Sequence, residues 1–148
     1  MPEFTIEIHD ALPKEEAALI DAGIGEANLA AAPLDEVQPL SCFAKGDGGA
    51  VVGGAVGRRW GPCCELQQLW IAPNHRRKGI GKQLMKAFEA HATRHGCSCV
   101  FLETFSFQAP TFYQLHGYLV EFERRGYPHG IVKFHMVKEL TGGGAAAG

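Results

Sequence analysis

The chain has 148 residues, 46% of them hydrophobic and 20% charged, with a formal net charge of −2. That length favours one folded domain, and the balance excludes an intrinsically disordered chain. The weakly acidic total excludes a surface built throughout for nucleic acid, and no apolar run approaches the ~20 residues of a membrane-spanning helix.

The first residues, Met1-Pro2-Glu3-Phe4-Thr5-Ile6-Glu7, are acidic and alternating, unlike a secretory signal, so a cytoplasmic protein is expected. Alternation over residues 4–9 predicts a strand. Pro13-Lys14-Glu15-Glu16 carries the signals of a helix start and opens an alanine-rich helix to about residue 32, which Gly23 and Gly25 are expected to interrupt. Residues 39–45 and 50–60 read as two strands joined by the turn Gly46-Asp47-Gly48-Gly49. A third strand covers residues 64–72. A helix follows over residues 81–95, with Leu84, Phe88 and Ala92 as its buried stripe and Gly96 as its C-terminal cap.

The continuous apolar run at residues 97–104 predicts a central strand. Residues 109–116 form a short helix, and residues 118–124 and 131–139 two last strands. The glycine- and alanine-rich residues 141–148 are expected to be a disordered tail after a single domain at 1–140. Hairpins alternate with strand–helix–strand units, which predicts an α/β (α+β) fold. Its sheet is mixed and mostly antiparallel, with helices on both faces.

Five cysteines, Cys42, Cys63, Cys64, Cys97 and Cys99, are an odd number at spacings unsuited to zinc, so reduced thiols are expected. The histidines show no metal-ligand spacing either, and no metal is expected.

The chemistry concentrates in Leu69-Trp70-Ile71-Ala72-Pro73-Asn74-His75-Arg76-Arg77-Lys78-Gly79-Ile80-Gly81-Lys82. A strand runs into a basic, glycine-containing loop that opens a helix. Helix N-termini carry free N–H groups and partial positive charge, and the glycines leave room for a phosphate to approach. The dinucleotide fingerprint fails because Leu84 stands where its third glycine belongs, and the P-loop fails because Arg76 stands at its first glycine. Two readings remain: a pyrophosphate cradle made by Arg76, Arg77, Lys78, Gly79, Ile80, Gly81 and Lys82, or a solvated basic helix start that binds nothing.

Arg76-x-x-Gly79-x-Gly81 resembles the acyl-CoA pyrophosphate motif of the GNAT acetyltransferase superfamily. Residues 69–73 look like the family's fourth strand. Ala109-Pro110-Thr111-Phe112-Tyr113-Gln114-Leu115-His116-Gly117-Tyr118 is similar to its second motif, at matching separation. The likeness spans residues 37–140. It implies a GNAT-type fold and acetyl transfer from acetyl-CoA to a primary amine. The pantetheine arm would lie along Leu69, Trp70 and Ile71 as an added strand, and a backbone N–H near Trp70 or Ile71 would hold the oxyanion.

Tyr113 occupies the family's tyrosine position and is expected to protonate the leaving thiolate. Glu65 resembles a family base by its distance from Arg76. Strand alternation would put it on one face with Gln67, Leu69 and Ile71. Glu103 is the second choice for base. Many members carry an Asn where this chain has Ser106, so Gln108 is the expected replacement for that cofactor contact.

The expected acceptor is a small-molecule amine such as a polyamine, an aminoglycoside-like antibiotic or an amino acid. The alternatives are a protein N-terminus or lysine, or a non-catalytic acyl-CoA sensor. Nucleic acid and membrane partners are not expected: Arg76-Arg77-Lys78 lacks interleaved aromatics. Dimerisation is a common family habit.

Overall fold

A computed structural model describes residues 3–140. The expected tail at 141–148 lies outside them. The chain divides into two compact units, one up to Glu36 and one from Val37 onward.

In the first unit, α1 spans Lys14–Ala31 without interruption. Each internal glycine costs about 1 kcal/mol against alanine, and the surrounding Ala, Leu and Glu residues offset that cost, so Gly23 and Gly25 do not break the helix. Glu15 and Glu16 sit in the first turn, where the helix dipole favours acids. Ala32 precedes Pro33 and is extended, which ends the helix. Residues 4–9 form no strand, contrary to the alternation. A strand exists only by pairing, and this unit offers no ladder partner.

The second unit holds a six-stranded sheet in the order β1-β2-β3-β4-β6-β5. Its strands are β1 (Gln38–Lys45), β2 (Val51–Trp60), β3 (Cys63–Ile71), β4 (Cys99–Phe105), β5 (Leu119–Arg124) and β6 (Lys133–Glu139). Every neighbouring pair is antiparallel except β3–β4. Gly48 and Gly49 have φ of 73° and 82° in the β1–β2 turn, a conformation glycine adopts without strain. The helix α2 (Ile80–Arg94) lays Leu84, Met85, Phe88 and Ala92 on the sheet. The short α3 (Pro110–Leu115) adds Tyr113 to the same core.

Two features anchor this frame around the site. A Cβ at Gly57 would collide with the Glu65 carbonyl and the Phe88 ring, so only glycine lets β2, β3 and α2 approach there. The Tyr118 hydroxyl donates to Glu89 Oε2 at 2.9 Å and Lys138 Nζ donates to Oε1 at 2.8 Å, tying α2 to β6 and to the residue before β5. Burial, then the Glu89 carboxylate, raises the Tyr118 phenol far above its ordinary pKa, so it stays a donor.

Candidate active site

The site begins with a fault in a strand. The β2–β3 register runs Val56↔Gln68 and then Gly57↔Leu66, leaving Gln67 as an extra, unpaired residue. A bulge of this kind reverses which residues face inward. Before it, Cys64 and Leu66 are buried; after it, Leu69 and Ile71 pack against the core. The expected common face of Glu65, Gln67, Leu69 and Ile71 is therefore corrected. Glu65 projects on the face opposite Leu69 and Ile71.

The parallel ladder between β3 and β4 has three rungs, Cys63↔Cys99, Cys64↔Val100 and Glu65↔Phe101. Beyond Glu65 the two strands part, and β4 stays with β6. The gap is a cavity of about 790 Å³ lined by Gln67–Ile71, Arg76, Glu103, Thr104, Gln108, Ala109, Phe112 and Tyr113.

Backbone groups on one wall of this gap have no strand to pair with. Ala72 N–H donates to Val52 O on the β2 side at 2.8 Å. By alternation the backbone of Trp70 also turns to β2, while Leu69 and Ile71 present N–H and C=O to the gap. Arg76 Nε donates to Ile71 O at 3.0 Å, which agrees with that direction.

A second cavity of about 280 Å³ adjoins the first and shares Ile71, Arg76 and Phe112 with it. Its other walls are His75, Arg77, Gly79, Ile80, Gly81 and Lys82. Arg77 and Gly79 take left-handed conformations, φ 64° and 79°, which swing the chain from β3 into α2. The first helical bond runs from Gln83 N to Gly79 O at 3.1 Å, so the amides of Ile80, Gly81 and Lys82 precede any intrahelical partner. A Cβ on Gly81 would stand 3.3 Å from the Phe112 ring and 3.4 Å from Ile71. Glycine thus keeps the start of α2 close to α3 as well as open to a ligand. Lys78 is exposed and is not part of this lining. His75 and Phe112 are; both stand inside the quoted motifs, but neither was assigned a binding role from sequence.

Tyr113 lies on the wall of the large cavity and is only 8% exposed. Burial pushes its phenol up to about 12. Gln108 Oε1 accepts from Phe105 N–H at 2.8 Å and from Thr104 Oγ1 at 3.4 Å, which holds the amide at the cavity wall. Ser106 is committed elsewhere: it donates its N–H to Val132 O at 2.7 Å and accepts Val132 N–H on Oγ at 3.0 Å.

The two carboxylates differ. Glu65 accepts from Arg58 Nε at 2.8 Å and is absent from the cavity lining. Glu103 is on that lining, with Lys133 Nζ at 2.6 Å and His135 Nδ1 at 3.8 Å. The hydrogen bond from Lys133 holds the Glu103 carboxyl below the usual carboxylate range.

The family model described as "Acetyltransferase (GNAT) family" matches residues 8–118. The blasticidin-S acetyltransferase of Streptomyces morookaense is 37% identical over 112 residues, covering 73% of this chain and 82% of that protein. An acetyltransferase crystal structure from Bacillus cereus ATCC 14579 aligns with TM-score 0.73 and 26% identity, covering 90% of this chain and 98% of the other. The nourseothricin acetyltransferase structure aligns with TM-score 0.61 and 22% identity over 70% of this chain and 66% of its own, a likeness of fold alone.

Proposed function

Because this chain belongs to the GNAT family of acetyltransferases, we propose that it moves the acetyl group of acetyl-CoA to a primary amine on a small molecule. The observation that carries this reading is the parting of β3 and β4 after Glu65 into a cavity continuous with the glycine loop of α2. A volume of about 790 Å³ suits a small ligand, whose sites run from about 300 to 1,000 Å³. The relative named for blasticidin S supports a small acceptor. The family match crosses both compact units, which supports treating residues 1–140 as one functional domain.

In this reading the amides of Ile80, Gly81 and Lys82 hold the pyrophosphate, helped by Arg76, Arg77 and the helix dipole. Lys78 adds only to the surrounding positive field. The pantetheine amides pair with Ile71 and the Leu69 C=O as an added strand would, and Gln108 meets the same arm from across the gap. The amine nitrogen attacks the thioester carbon, and the carbonyl oxygen becomes an oxyanion facing the Leu69 N–H, the gap-facing amide farther from the pyrophosphate loop. The carbon–sulfur bond then breaks, the thiolate takes its proton from Tyr113, and the proton shed by the newly acylated nitrogen returns to the phenolate, leaving neutral amide, CoA thiol and Tyr113.

A phenol near 12 is a weak acid toward a thiol near ~8.5, so Tyr113 acts first as a hydrogen-bond donor and transfers its proton late. Burial keeps that proton in place throughout the working pH range. An alkyl ammonium, with a pKa near ~10.4, must lose a proton before attack. Glu103, on the cavity wall, attracts the ammonium and leads that proton to water. Glu65, paired with Arg58, is the alternative base.

The test is a thermal-shift titration with acetyl-CoA, then acetylation of an amine panel followed by thiol release. Acetyl-CoA at a hundred times its dissociation constant adds about 2.7 kcal/mol, which raises Tm by about 5–10 °C in a domain of this size. Binding with no turnover of any amine would favour the sensor reading. Faster loss of activity in Glu65→Gln than in Glu103→Gln would return the base role to Glu65.

A further inference from the structure

Around Glu103, on the wall of the large cavity, lies a patch of unlike groups. Along β4, Val100, Leu102 and Thr104 are buried, so Phe101, Glu103 and Phe105 project from the opposite face. Their register partners on β6 project with them: His135 stands opposite Glu103, and Lys133 opposite Phe105. Lys133 Nζ donates to Glu103 at 2.6 Å and lies 5.7 Å from the centre of the Phe105 ring.

Two loops complete the patch with aromatic rings. Phe107 stacks on Phe105, with centroids 5.4 Å apart and planes 7° from parallel. Tyr127 meets Phe105 edge-on at 5.5 Å. Phe107 is 67% exposed, although its ring is held by stacking. Glu103 itself lines the cavity, so the patch and the reaction path meet at its carboxylate.

An exposed ion pair contributes little to stability, so its partners are free to exchange. A ligand bringing one charge only would leave the other protein charge without a partner. A polyamine would take Glu103 and then face Lys133 as a like charge. A ligand bringing both charges satisfies both protein groups at once, which avoids an unpaired charge at the cavity mouth. The flat stacked rings beside the pair favour a planar group by aromatic stacking.

We propose that this patch is the acceptor subsite and that it selects zwitterionic amines: an ammonium for Glu103, a nearby carboxylate for Lys133, and a planar unsaturated group for Phe107 and Tyr127. The inference rests on the acetyl-transfer reading above and names the substrate class for the same site. Positively charged acceptors without a carboxylate are the class it excludes.

The experiment measures kcat/KM with acetyl-CoA for matched pairs: tryptophan against tryptamine, phenylalanine against phenethylamine, and histidine against histamine, with alanine and spermidine beside them. The carboxylated member of each pair is expected to lead by about tenfold, which is 1.4 kcal/mol, and to exceed alanine by a similar factor. Lys133→Met should collapse the ratio within each pair to near one, while Lys133→Arg should preserve it. Phe107→Ala should erase the advantage over alanine. The inference is overturned if the decarboxylated amines match or exceed their partners, or if Lys133→Met leaves the ratio unchanged. Turnover of spermidine alone would overturn it and leave the acetyltransferase reading standing. Turnover of no amine would overturn both.

Discussion

The two ends of the cleft are built from different materials. At the start of α2 the walls combine backbone with basic side chains: amides left free by helix geometry, a left-handed Gly79, a Gly81 that a side chain would crowd, and Arg76, Arg77 and Lys82 around them. At the end of β4 the cavity is lined by the side chain of Glu103, which pairs with Lys133 beside the rings of Phe105, Phe107 and Tyr127. In the proposed reading, the backbone donors take what every acyl-CoA carries, a pyrophosphate and an amide arm. Side chains can be exchanged without disturbing such backbone donors, so the two ends should respond separately to substitution. Between the ends stands Tyr113, held by burial.

This division breaks or sharpens under substitution. The largest effect is expected between the ends. Tyr113→Phe should lower kcat by about 10²- to 10⁴-fold, the usual worth of a positioned acid, and leave the dissociation constant of acetyl-CoA within about twofold by calorimetry. A matched loss of affinity would make the residue structural instead. The pH profile carries a second check. Burial raises the phenol to about 12, so its loss of the proton should not limit activity below that pH. A base limb near 10 that vanishes in Tyr113→Phe would contradict this.

At the cradle, Arg76→Ala should raise the KM for acetyl-CoA about 10- to 100-fold, because a charge-assisted bond is worth about 1.5–3 kcal/mol, with the amine KM unchanged. It also removes the donor that pins Ile71 O. Gly81→Leu should cost about 1–3 kcal/mol by overpacking against Phe112, visible as a lower Tm, and should weaken acetyl-CoA binding in the same preparation.

At the other end, Glu103→Gln should raise the amine KM and leave acetyl-CoA binding alone. If both substrates suffer from either change, the two ends are not independent. The smallest effect is on stability. Lys133 lowers the folded pKa of Glu103, so that contribution is present above the ordinary carboxylate range and is lost as pH falls through the lowered value. Wild-type Tm should therefore fall slightly more than that of Glu103→Gln on acidification from pH 5 to pH 3.

Much of this was legible beforehand where the physics is local. The loop from Arg76 to Lys82, the α2 stripe of Leu84, Phe88 and Ala92, and the Gly46–Gly49 hairpin turn each follow from conformational preferences within a few residues. The strands of the second unit fell within one residue of their expected ends, save the starts of β4 and β6, which come two residues later. Residues 4–9 misled because alternation describes a face and not a partner, and Gly23 and Gly25 misled because helix propensity sums over the whole segment.

The sequence alone determined that a basic, glycine-containing turn follows a strand and that a Phe112-Tyr113 helix follows a central strand, since backbone geometry and side-chain spacing are properties of short segments. Only the tertiary structure decided that Gln67 bulges, that Glu65 turns away from Leu69 and Ile71, and that Glu103 lines the cavity. Those outcomes depend on register between strands far apart in the chain. There a shift of one residue changes which face a side chain occupies, and no local preference records it.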